Sequence, residues 1–243
     1  QLLVDVLDQG QDGMSGVGFF NEGIGLFRNQ RFWGQYAYQM KIRKGKLGIG
    51  LQVGMLTVSF DPSDINLGDE TDDEAFPTAA ESGMAVDLGL GGYYSHPKFY
   101  AGFSAHHLTA PRVSLGDKSQ IKIHPIFYLT GGYNIQTRNP LISIQPSMQL
   151  QSDFTSTRLD VTGRLFYTYH SRVLSGGLTY SPDTSVTFSF GLTVRGVTLG
   201  YAYECFTSKI GVASGSHDLV VRYALDLNVF KKNRNLHKSV RIL

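Results

Sequence analysis

The chain has 243 residues, with 42% hydrophobic and only 17% charged positions, 28 Gly and 8 Pro. Charge falls below the roughly 25% usual for a soluble domain and Gly exceeds its usual share of roughly 7%, so neither disorder nor an ordinary soluble core fits. A net charge of +2 gives no electrostatic footprint for nucleic acid, and the single cysteine, Cys205, excludes an internal disulfide framework.

Taken in chain order, the dominant signal is alternation with period 2. Tyr36, Tyr38, Met40 and Ile42 alternate with Gln35, Ala37, Gln39 and Lys41. Ile142, Ile144, Pro146, Met148 and Leu150 alternate with Ser143, Gln145, Ser147, Gln149 and Gln151. Val186 to Val194 repeats the pattern, and from Ser216 onward Leu219, Val221 and Tyr223 oppose Asp218 and Arg222, with Val220 the exception. About 13 candidate strands follow, near 2–7, 14–21, 32–42, 47–59, 84–94, 99–108, 121–134, 141–152, 157–169, 173–181, 185–194, 197–206 and 216–230. No stretch makes a convincing amphipathic helix, and no apolar run reaches the ~18 to 20 residues of a membrane helix.

Tight connections are expected at Arg43 to Lys46, Ser95 to Lys98, Ile135 to Pro140, His170 to Arg172 and Arg195-Gly196; Phe60 to Gly83 and Thr109 to Gln120 read as long loops. Strands of ~9 to 11 residues with short turns at one end and long loops at the other are the pattern of an outer-membrane β-barrel. The faces agree. A soluble sandwich would wet its polar face with Lys and Glu, whereas here that face carries Ser, Thr, Gln and Gly, suited to a packed or narrow lumen. The ionisable groups on it, Asp87, Arg158, Asp160, Arg164, Glu204, Arg222 and Asp226, have both signs and are candidates to pair across strands inside the barrel. The fold class is therefore all-β, a transmembrane antiparallel up-and-down barrel with about 13 strands visible in this chain. Because the visible count is odd, at least one strand is expected to precede Gln1.

Two domains are expected: the barrel over 1–230 and a basic tail over 231–243. Phe230 supplies the terminal aromatic of the last strand. After it, Lys231, Lys232, Arg234, His237, Lys238, Val240, Arg241, Ile242 and Leu243 are candidates to bind a periplasmic partner, the cations steering the encounter and the apolar residues entering a groove. The competing reading is a disordered basic tail near anionic headgroups. Asp61, Asp64, Asp69, Glu70, Asp72, Asp73, Glu74 and Glu81 crowd one loop, but their spacing does not match the ligands and glycine of an EF-hand, so a solvated outer loop is expected. The seven histidines are scattered, with no nucleophile elbow or helical His pair beside them. Catalysis, cofactors and metals are not expected. Cys205 shares a face with Tyr201 and Tyr203 and reads as lipid-facing.

Several segments together resemble the PorP/SprF family of type IX secretion outer-membrane proteins. They are Gly16-Val17-Gly18-Phe19-Phe20-Asn21-Glu22 with Ile24-Gly25 and Asn29-Gln30, Gln35-Tyr36-Ala37-Tyr38, Leu47 to Gln52, Gly91-Gly92-Tyr93-Tyr94, Tyr100 to Ser104, His106, Leu108 and Pro111, Gly131-Gly132-Tyr133, Ser216 to Leu219, and the closing His237 to Leu243. The resemblance spans essentially the whole chain. It implies a non-enzymatic barrel of about 14 strands in the outer membrane of a Bacteroidetes-type bacterium. One branch of the family serves the secretion apparatus with the periplasmic ring proteins PorK and PorN and the PorL and PorM motor. Another, SprF-like, handles particular secreted adhesins as cargo. An alternative function for such a barrel is a diffusion channel or substrate-specific transporter.

Overall fold

The computed structural model describes residues 2–9, 13–61, 80–115, 119–207 and 215–223. Its strands are β1 (Leu2–Gln9), β2 (Gly13–Ile24), β3 (Phe27–Ile42), β4 (Gly45–Phe60), β5 (Glu81–Ser95), β6 (Phe99–His106), β7 (Arg112–Leu115), β8 (Ser119–Lys122), β9 (Ile126–Tyr133), β10 (Ile135–Gln136), β11 (Ile142–Ser152), β12 (Thr157–Tyr169), β13 (Arg172–Ser181), β14 (Ser185–Val194), β15 (Val197–Phe206) and β16 (Ser216–Tyr223). All but β7 and β8 join one 14-stranded sheet, in which each strand pairs antiparallel with its neighbours along the chain. β6 passes directly to β9 and β9 to β11, while β10 pairs β11 off the main path. No helix long and apolar enough to cross a membrane occurs among the described residues. This is the up-and-down meander of a barrel wall.

Directly opposed residues share a face, so the registers carry each face across the whole sheet. On one face stand Phe32, Tyr36 and Tyr38 of β3, Ile49, Leu51, Val53 and Met55 of β4, Met148 of β11, Phe188 and Phe190 of β14 and Tyr201 of β15, all exposed. On the other stand Gln35, Gln52, Gly89, Ser104, Tyr128, Gln151, Arg158, Thr179 and Thr187. The apolar face is the uncovered one. That inverts a soluble sandwich, where the apolar face is buried, and it is what lipid contact requires. Cys205 opposes Val186 and so shares the apolar face with Tyr201 and Tyr203.

Three inner-face glycines each lie under an aromatic ring from the directly opposed residue of a neighbouring strand. Trp33 covers Gly18, Tyr93 covers Gly102 and Tyr100 covers Gly132. A Cβ at Gly132 would stand 2.5 Å from Tyr100 Cζ, so these glycines make room for rings lying flat on the wall.

One element departs from the expected pattern. The segment 121–134 is not a single strand: β8 ends at Lys122 and β9 begins at Ile126. Pro125 lies in the break and has no N–H to give to a ladder. The loop expected from Thr109 to Gln120 instead holds β7, which pairs with β8 as a separate hairpin.

Connections alternate between two ends. The turns at 43–44, 96–98, 134–141, 170–171 and 195–196 fall at one end; those at 25–26, 61–80, 107–125, 153–156, 182–184 and 207–215 fall at the other. At the short-turn end, Arg43, His170 and Arg195 take left-handed φ values of 54°, 52° and 49°, the backbone that tight hairpins with right-handed twist demand. Gly196, at φ 86°, supplies the second left-handed residue of its turn.

Candidate functional site

The inner face concentrates its polar chemistry in three places. The first is a network on β12 to β15. Arg158 Nε donates to Asp160 Oδ1 at 2.8 Å, and Arg158 Nη2 donates to Ser181 Oγ and to Glu204 Oε1, each at 3.3 Å. Ser181 Oγ donates to Asp160 Oδ1 at 2.5 Å and Ser185 Oγ donates to Glu204 Oε1. Ser181 and Ser185 are directly opposed and fully buried beneath these charges. Four strands are tied together by side chains. The structure thus brings Arg158, Asp160 and Glu204 of the predicted lumen charges together.

The remaining predicted charges stand apart from that network. Arg164 shares the inner face of β12 opposite Gln145 and Gly177, and Arg222 opposes Thr198 on β15; neither is ion-paired among the described residues. Asp226 and the whole tail, Lys231 to Leu243, lie outside the described residues, as does most of the acidic loop.

The second place is the root of the β7–β8 hairpin. Asp87, 4% exposed on the inner face of β5, faces His107 Nδ1 at 2.9 Å from its Oδ2, an ion pair when His107 is protonated. Neither Asp87 Oδ1 nor His107 Nδ1 has a hydrogen-bond partner among the described residues. Beyond His107 the chain follows β5: Leu108 N–H donates to Leu88 O and Thr109 Oγ1 donates to Val86 O. The hairpin then turns inward. Val113, fully buried, packs on Leu56 and Val58 with Ala85, Ile121 and Ile123 around it, all on or against the inner face of β4 and β5. A Cβ at Gly83 would stand 2.5 Å from Val113 Cγ1, so β7 lies directly on the wall. Sequence alternation could have revealed β7 and β8, but four-residue strands are too short to separate from loop by pattern.

The third is a concavity of about 650 Å³ on the inner face of β2 to β6 and β9. Gln35, Gln39, Gln52, Ser104, Thr130 and Tyr128 line it over a floor of Gly48, Gly50, Gly89 and Gly91, with Lys46 at the short-turn rim and His106 toward the hairpin. Its lining carries few charges, and more of its surface is apolar than polar, with Met14, Leu51, Leu90 and Phe103 also contributing. No group of three or more metal-ligating side chains occurs among the described residues.

A family model for the type IX secretion system membrane protein PorP/SprF matches residues 8–223. The chain belongs to the PorP/SprF family. Three of its family-like segments now have physical roles: Gly18 seats Trp33, Gly102 seats Tyr93 and Gly132 seats Tyr100. No curated protein matches the chain. Among solved structures it is similar to the CymD monoaromatic hydrocarbon channel, at 14% identity over 90% of this chain and 79% of that one, with TM-score 0.49. It is also similar to an engineered variant of the Rh. blastica porin, at 8% identity over 87% of this chain and 89% of that one, with TM-score 0.35.

Proposed function

We propose that this PorP/SprF member is a non-enzymatic outer-membrane scaffold or adaptor of the type IX secretion machinery, not a diffusion channel. The observation that carries the choice is the β7–β8 hairpin, folded onto the inner face with Val113 fully buried, together with the Arg158 network across the opposite part of that face. A diffusion channel needs a water-filled path, and both features place protein there instead. The short-turn end is assigned to the periplasm. Its turns, with the tail Lys231 to Leu243, meet periplasmic ring proteins of the PorK and PorN kind, and the long loops meet secreted adhesin cargo or other surface components.

Planar-bilayer recording together with purification from native membranes tests this. A silent barrel that co-purifies with periplasmic lipoproteins supports the adaptor; steady open pores with no protein partner support the channel and overturn it. Deleting residues 236–243 separates the tail's role: secretion falls at an unchanged barrel level if the tail docks, and stays normal if it does not.

A further inference from the structure

We propose that the short-turn end of the sheet is a collar for anionic phospholipid headgroups. Five of the six connections at this end carry cations at the tip or shoulder, Arg43 and Lys44, Lys98, Arg138, Arg172 and Arg195, every one exposed; the sixth, between β1 and β2, has Asp12 and no cation in its sequence. None of the five cationic turns, nor the four residues flanking each on either side, contains Asp or Glu. No ion pair engages any of these cations among the described residues, although Arg158 on the same sheet recruits two carboxylates. Exposed cations with no acid nearby favour an anion from outside the chain.

Position identifies the anion. Just inside the cations, on the lipid-facing side, lie Tyr94, Phe99, Tyr133, Tyr167 and Tyr169, paired so that they share the apolar face. Tyrosine belts mark the membrane interface, so residues one to a few positions beyond them sit at headgroup level. Lys and Arg stems lie along apolar surface while their charged heads reach phosphate. The cations are spread over hairpins from β3 to β15, which suits a lipid ring around the wall better than the compact footprint of one protein. The inference rests on the sheet spanning a membrane and is independent of the secretion partners proposed above.

The test uses the full chain in nanodiscs of phosphatidylcholine with phosphatidylglycerol, reading the ratio of the two lipids retained by the protein in native mass spectrometry. Phosphatidylglycerol is enriched over the bulk ratio, by about five-fold per cation engaged. Lys44→Gln with Lys98→Gln and Arg138→Gln removes most of that enrichment. Arg28→Gln with Arg112→Gln and Lys122→Gln, at the long-loop end, leaves it in place. Equal enrichment in both triple variants, or none in the unaltered protein, overturns the proposal. So does unchanged lipid retention with loss of an acidic periplasmic protein, which would give these cations to a protein surface. Heat-modifiability on gels checks that the variants fold. If the first triple fails to fold, raising salt from about 50 mM to about 500 mM on the unaltered protein decides: enrichment falls if charge drives it and persists if it does not.

Discussion

Arg158 on β12 reaches Glu204 on β15, with Nη2 and Oε1 3.3 Å apart, across two intervening strands. Three strand spacings amount to about 14 Å, near the limit that an extended Arg and Glu can bridge, and they do so only over a concave face. The contact ties β12 to β15 independently of the backbone ladder. Arg158→Leu leaves Asp160 and Glu204 as two carboxylates over buried serines. With Arg158 partly exposed, solvent screening limits the loss to about 1–2 kcal/mol in urea unfolding from detergent or vesicles. Combining Arg158→Leu with Glu204→Leu should cost less than the sum of the single variants. Strict additivity in that cycle would show that the two groups do not interact.

The β7–β8 hairpin gives a second expectation. Gly83→Val drives a side chain into Ser114 O and Val113 Cγ1, and overpacking of this kind costs about 1–3 kcal/mol. Because the hairpin contributes no strand to the main sheet, the strain should release it while the wall stays intact. Limited proteolysis reads this as new cleavage between Thr109 and His124 in a barrel that still runs as folded on gels. Planar bilayers read it as conductance absent from the unaltered protein. Cleavage without any conductance would show that the hairpin does not occlude the lumen.

Asp153 offers a pH signature outside the wall. In the turn between β11 and β12 its Oδ1 accepts from the backbone N–H groups of Ser156 at 2.6 Å and Thr155 at 2.9 Å, which hold its carboxyl below the usual carboxylate range. A depressed folded-state pKa stabilises the turn above the unfolded value of about 3.9, and that contribution disappears as pH falls through the folded value. The unaltered protein should therefore lose more stability than Asp153→Asn on acidification below about pH 4, with the offset between them constant at neutral pH. Parallel urea midpoints at every pH would exclude this role for Asp153.

These contacts also mark how far the amino-acid order can be read. Alternation placed every strand of the main path and the faces of Gln35, Met148, Phe190 and Cys205, because period 2 and the lipid–lumen contrast are both local. It put Arg158, Asp160 and Glu204 on one face but could not choose their partners, since those depend on a curvature that brings β12 near β15. The inward hairpin was lost for a different reason. Ile121, Ile123 and Phe127 continue the apolar spacing through Pro125, so the pattern reads as one strand where the missing N–H breaks it in two. Nor does any local pattern predict that Asp87 faces His107, which reaches it where the chain, past the end of β6, continues along β5.

Trp33 makes the last of these relationships directly observable, because it is the chain's single tryptophan. Its indole lies over Gly18, where a Cβ would stand 2.7 Å from Nε1 and closer still to the six-membered ring. The two residues are directly opposed on β2 and β3 and face the inner side of the wall. Backbone φ does not require glycine there, so the demand is steric, and a branched side chain at position 18 must displace the ring. Gly18→Val should shift Trp33 emission and raise its quenching by iodide, with a loss of about 1–3 kcal/mol despite the better strand propensity of Val. Trp33→Ala in the same background removes the clash and should recover part of that loss, whereas Trp33→Ala alone destabilises. If Gly18→Val left both emission and stability unchanged, the ring would not be seated on this glycine.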